Sequence, residues 1–301
     1  MVIGTSIMKA VAPRWPLPAA AATLLGVVSA CGVLMVAFSG VDTAVAADMN
    51  YQCDTAIGPD PSVTVTVTAA ATGGSVAIPP TANPYASLPD DGSPRMRACR
   101  NAMHSAPYQL PPLPTANTGF AVECAHTTAV ALVDQALSGG GGGTATADAA
   151  ALLSLVTRWA STAALTGTCP AVRGGDLPAE RGQSASNAVA PARGCPSLTM
   201  AAVIELPGTI AAQSLCGQRV DQAAASPGDL VFWQYDNYTP VRAGIAVTWP
   251  APTNPTTGPV LIARPTPAQM VTVDPVTGLV VQTALPTRGD VRVKRLLSSP
   301  S

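Results

Sequence analysis

The sequence predicts an α+β domain in which a helix packs on an antiparallel sheet, preceded by an apolar leader. Three observations carry that expectation. Ser226 to Val247, SPGDLVFWQYDNYTPVRAGIAV, reads as a turn, a strand, a loop and a second strand. Ala125 to Leu137 has the periodicity of a helix and runs into the glycines of Gly139 to Gly143. Two further strand-like runs, MVTVDP and DVRVKRLL, follow in the last third of the chain.

The turn comes first because Pro227-Gly228 suits the two central positions of a type II turn: Pro presets φ and Gly accepts the positive φ that follows. Leu230 to Trp233 is then a short apolar run that reads as a buried strand, with YDNYTP as the loop behind it. In the next strand the alternation puts Ile245, Val247 and Trp249 on one face and Arg242, Gly244, Ala246 and Thr248 on the other. One face is expected to be core and the other nearly bare. In the helix, Ala129, Leu132, Val133 and Ala136 share an arc, opposite Thr128, Asp134 and Gln135. Thr146 to Leu165 carries a second helical stripe, Leu152, Val156, Trp159 and Ala163, read as packing. Thr209 is expected to cap a short helix and Gly217 to end that stretch.

Composition sets the outer bounds. Of 301 residues only 11% are charged, against about 25% in an average soluble protein, and 26 Gly with 30 Pro imply long irregular connections. A net charge of −1 offers no basic field for a nucleic acid, so that partner class is disfavoured. Leu17 to Val41 holds no charged residue and is flanked by Lys9 and Arg14 before it and Asp42 and Asp48 after it. Residues 1–47 therefore read as a signal peptide, with Val45-Ala46-Ala47 as an acceptable cleavage site, or as a transmembrane anchor; either places the rest of the chain outside the cytoplasm. Residues 48–95 read as an extracytoplasmic stalk containing one strand, SVTVTVTAA. Residues 96–301 read as the folded domain, with an insertion at about 138–197 that could serve as a lid or a partner surface.

Beyond the leader stand Cys53, Cys99, Cys124, Cys169, Cys195 and Cys216, an even number suited to three disulfides in an oxidising compartment. Fifteen pairings satisfy that count. Cys169 and Cys195 bracket a polar, Gly-rich segment and form the favoured pair, and Cys53 with Cys99 is a second candidate that would tie the stalk down. No CxxC pair with a nearby His argues for a metal, and no cofactor is expected.

The turn PGDLVFW at Pro227 to Trp233 followed by RAGIAV at Arg242 to Val247 resembles the PGDLVFF and HVGIYV runs of the NlpC family, papain-like cysteine peptidases that cut peptidoglycan stem peptides. The stretch from Leu206 to Val220, LPGTIAAQSLCGQRV, is similar to the segment that precedes PGDL in that family, and Pro107-Tyr108 matches its PY. The resemblance covers roughly Pro107 to Leu297. It implies a papain-like fold with Cys124 at the nucleophile position, on the helix packed against the sheet. It places Arg242 where the family has its general-base His, and Ala263 at the third catalytic position.

Arginine remains protonated and cannot exchange a proton during turnover, and alanine cannot orient an imidazole. The residues of this site therefore imply an exported, inactive NlpC-like domain. Such a domain would bind stem peptide or an envelope protein, with Tyr108, Arg242 and Arg264 as binding residues and the two arginines facing carboxylates. An active cysteine endopeptidase with a rearranged base, and a disulfide-stapled interaction module in which Cys124 is a half-cystine, are the alternatives. A cysteine in the first turn of a helix would have its thiolate stabilised by free N–H groups. Neither His104 nor His126 has a spacing that brings it to the sulfur.

Overall fold

The computed structural model describes residues 44–60, 80, 82–87, 92–138, 147–173, 195, 202–249, 268–287 and 290–297. The chain divides into two units, Met1–Ala46 and Ala47–Ser301, and apart from the first three residues of the first helix every element below belongs to the second. The helices are α1 (residues 44–57), α2 (Pro94–Met103), α3 (Phe120–Ser138), α4 (Ala149–Thr166) and the single turn α5 (Ile210–Gln213). The strands are β1 (Gln218–Val220), β2 (Leu230–Asp236), β3 (Thr239–Ala246), β4 (Gln269–Val273), β5 (Val280–Ala284) and β6 (Arg292–Arg295). They form one antiparallel sheet in the order β1-β6-β2-β3-β4-β5. The protein is therefore α+β. No helix of the described residues is long and apolar enough to cross a membrane, and Leu17 to Val41 lies outside those residues. So do SVTVTVTAA, Ala263 and Arg264.

The β2–β3 hairpin is longer than the sequence suggests. Register runs from Leu230↔Ile245 to Asp236↔Thr239, so the polar YDNYTP stretch is mostly strand. Its two-residue turn, Asn237-Tyr238, has φ of 46° and 64°, the positive pair of a type I′ turn whose twist suits a hairpin. Asn tolerates that region; Tyr rarely enters it, which is why the turn is illegible from residue type.

Both faces of the sheet are covered. On one, Leu230, Phe232, Ala243, Ile245, Val247 and Val271 meet Ala129, Leu132, Val133, Leu152, Leu153 and Val156 of α3 and α4. On the other, Val231, Trp233, Ala246, Met270, Leu285 and Val293 form a second apolar cluster. The face expected to be bare is thus filled. Met270 stands opposite Ala246, and a Cβ on Gly244 would lie 2.9 Å from the Val271 carbonyl oxygen and 3.2 Å from the Met270 sulfur. The small residues of β3 accommodate a neighbouring Met, whose flexible thioether fills the space.

Two regions read as peripheral belong to the core. Residues 51–58, placed in the stalk, are buried, because α1 turns Tyr51, Cys53, Asp54 and Ile57 inward and is bonded to α2 through Cys53–Cys99. The helix of the expected insertion, α4, buries Leu152, Leu153, Val156, Ala160 and Ala163. Asp148 caps it by accepting from the Ala150 N–H at 2.9 Å, and Gly167 ends it at φ 68°. A stripe of that size is needed to cover β3 and β4, so it is packing rather than a lid.

The turn ahead of β2 is held by buried charge. Asp229 accepts from the Ser226 N–H at 2.8 Å and takes a two-pronged contact from Arg295, Nε to Oδ1 at 2.9 Å and Nη2 to Oδ2 at 2.8 Å. Burial pushes the Asp229 carboxyl up, and the Arg295 fork and the Ser226 N–H offset part of that rise. Asp229→Ala would leave the Arg295 guanidinium buried without its counter-ion. The expected loss is about 3–5 kcal/mol of unfolding free energy in a denaturant titration, with Arg295→Lys also costly because a single ammonium cannot replace the fork.

Candidate functional site

The N-terminus of α3, the turn at Ser226 to Asp229 and the end of β3 come together. A Cβ on Gly228, at φ 88°, would lie 3.0 Å from the Ala125 Cβ. Asn117, in the loop leading to α3, donates its N–H to Ser226 Oγ at 2.8 Å, and its side chain reaches the Leu297 carbonyl. The His126 ring lies with Nδ1 2.6 Å from the Val247 carbonyl oxygen and its centroid 4.9 Å from that of Trp249. Gly228, the residue of the turn with no side chain, allows this approach.

Cys124 is not placed as a nucleophile. α3 begins at Phe120 rather than Ala125, since the Val122 and Glu123 N–H groups already donate to the Gly119 carbonyl. Cys124 is therefore in the second turn, where its own N–H belongs to the helix ladder and the free N–H groups lie behind it. The early start follows from Gly119, whose φ of 110° delivers the chain into the helix at a point that no periodicity marks. The Cys124 side chain points between α3 and α4, is 2% exposed, and is bonded to Cys169 just past the end of α4. Its sulfur lies 3.9 Å from Thr128 Oγ1 and 4.0 Å from the Trp159 carbonyl oxygen.

The favoured Cys169–Cys195 pair is accordingly corrected: Cys169 joins Cys124 and Cys195 joins Cys216. Loop closure varies only with the logarithm of loop length, so alternative loops differ by well under about 1 kcal/mol. Position decides the pairing instead. The antiparallel hairpin of α3 and α4 brings the start of one helix beside the end of the other. The pair Cys53 and Cys99 is joined as the sequence suggests.

Arg242 lies elsewhere. It stands opposite Trp233, its guanidinium 5.7 Å from that ring, and its Nη2 donates to the Val273 carbonyl at 3.3 Å. It thus shares the face of Trp233 and Ala246, whereas Cys124 belongs to the helical layer on the opposite face. The structure does not bring Cys124 and Arg242 together. Tyr108 is in a third place, donating to Asp48 Oδ2 at 2.9 Å beside Tyr85, which donates to the same oxygen at 2.6 Å. Burial, and then the bond to Asp48, raise the Tyr108 phenol to about 12. His104 ends α2. Among the described residues no three His, Cys, Asp or Glu side chains are grouped to hold a metal ion.

The buried charged residues, two at the Ser226 turn and four beneath α1, escaped sequence reasoning. Asp229, Arg295, Asp54, Arg219, Arg292 and Lys294 are all buried or nearly so. A signal existed in DVRVKRLL, where cations occur at both strand parities and neither strand face can then be purely apolar. No family model, curated protein or solved structure matches the chain.

The Cys124–Cys169 bond closes a separation of 45 residues and ties the open end of the α3–α4 hairpin. Replacing both cysteines with serine is expected to lower the unfolding free energy by about 3–4 kcal/mol, read from a denaturant titration as a lower midpoint with a steeper slope, since the unfolded chain without the cross-link exposes more surface.

Proposed function

We propose that this chain is an exported, NlpC-like domain that has lost peptidase chemistry and acts in the cell envelope as a disulfide-stapled binding module. Its ligand is peptidoglycan stem peptide or an envelope protein. One observation carries the reading: the cysteine at the presumed nucleophile position is buried and consumed in a disulfide with Cys169. A disulfide-bonded sulfur has no thiolate to offer, and hydrolysis needs both a thiolate and a proton-exchanging partner. The arginine at the presumed base position is engaged with Trp233 and the Val273 carbonyl.

The extracytoplasmic location is supported by three disulfides among the described residues, which the reducing cytoplasm disfavours. The papain-like ancestry is supported by the contact of the SPGDL turn with the start of α3 and by the antiparallel sheet that follows it. Retention of a folded, stapled scaffold without a catalytic centre fits a role in binding, since function follows the site and not the fold.

The test combines thiol mapping with a peptidoglycan assay. Alkylation of the exported protein without reduction is expected to leave Cys124 and Cys169 unmodified, and incubation with purified peptidoglycan to release no muropeptides while the protein co-sediments with it. Rapid alkylation of Cys124, with muropeptide release that Cys124→Ser abolishes, would establish the peptidase instead. Absence of binding to peptidoglycan and to soluble muropeptides would remove the stem-peptide ligand.

A further inference from the structure

Beneath α1 lies a concentration of charge that the α3–Ser226 region does not use. Arg219 of β1 and Lys294 of β6 stand opposite each other in register, and Arg292 is two residues along β6 on the same face. Three cations from two adjacent strands are therefore set side by side. Asp54, delivered by α1, is the carboxylate that meets them: Oδ2 accepts from Arg219 Nη1 at 2.6 Å and Oδ1 from Arg292 Nη2 at 2.5 Å. Arg292 Nε also donates to the Asp54 backbone carbonyl at 3.2 Å.

The balance is incomplete. Lys294 is 1% exposed, and no ion pair among the described residues includes it. Burial, and then the Arg219 and Arg292 guanidiniums, push it well below the ordinary lysine value; Asp54, already committed to both arginines, is the one group acting the other way. Two forked cations and a buried amine around one carboxylate form a site with more donor capacity than its occupant can use.

We propose that Arg219, Arg292 and Lys294 form a carboxylate-binding site on the sheet, that Asp54 is its built-in occupant, and that a carboxylate-bearing ligand can take the place of Asp54. Occupancy by Asp54 then holds α1 on the sheet, and an external carboxylate competes with that docking. The geometry suits a carboxylate because its two oxygens already receive one guanidinium each, leaving the amine of Lys294 as a further donor to a ligand seated slightly deeper. The proposal is independent of whether the chain binds stem peptide.

The test uses the full chain with Asp54→Ala, which vacates a carboxylate-sized space beside all three cations. Acetate, compared with chloride at equal ionic strength, is expected to raise the Tm of this variant saturably, by roughly 5–10 °C at a hundredfold excess over its dissociation constant. The Asp54→Ala/Lys294→Met double variant is expected to lose most of that response, and the unaltered chain to show little of it. Equal Tm values in acetate and chloride for Asp54→Ala would overturn the proposal. If this variant is not obtained folded in chloride, the yield of folded protein on refolding in acetate against chloride is the readout, and equal yields overturn the proposal in the same way. Lys294→Met alone, in which an apolar chain of similar length replaces the buried amine, is expected to raise Tm; a lowered Tm would mean that Lys294 is already satisfied and that no further donor is available, which overturns the proposal.

Discussion

The ion pair between Asp229 and Arg295 is the interaction on which the arrangement depends. Arg295 reaches from β6 to the turn ahead of β2, and its remaining donors go to the Thr115 carbonyl at 2.9 Å and the Ala224 carbonyl at 3.2 Å. One guanidinium thus joins the closing strand, the loop into α3 and the segment between β1 and β2. Such a pair, removed from water, contributes little as a bare Coulomb attraction after desolvation; its importance is that every donor and acceptor is satisfied in one geometry only. The same turn carries Gly228, whose missing side chain lets α3 approach. Polar satisfaction and close packing therefore fix the same junction.

A second layer of constraint is covalent. The three disulfides distribute themselves over the places where helices would otherwise part: α1 to α2, the start of α3 to the end of α4, and residue 195 to the end of the α5 segment at Cys216. With 11% charged residues and many Pro and Gly, the chain has long connections whose freedom in the unfolded state is large. Cross-links act on that freedom directly. They also fix the role of Cys124, whose side chain faces α4 and is joined there to Cys169.

The α1 region shows a different use of buried charge. Asp54 sets one negative charge against two arginines, with Lys294 beside them, so the contact between α1 and the sheet carries more cationic groups than its one carboxylate balances. This is the opposite of the Asp229 junction, where one carboxylate and one guanidinium balance. A protein that keeps one balanced and one unbalanced buried cluster has a rigid hinge of the fold and, beside it, a helix whose docking depends on what fills the cationic site.

The sequence by itself determined what depends on neighbouring residues. Pro227-Gly228 set the turn, the alternation of Ile245 and Val247 set the core face of β3, Thr209 capped α5, and the stripe of α4 marked its buried side. It also determined that an even set of cysteines would pair. Tertiary structure decided everything that depends on residues distant in the chain. The Cys124–Cys169 bond followed from the antiparallel docking of two helices, and the start of α3 from a positive φ at Gly119. The burial of residues 51–58, read as stalk, followed from the match of Asp54 to Arg219 and Arg292. Local patterns carry periodicity and backbone preference, but a cation or a sulfur acquires its role only from what the fold sets opposite it.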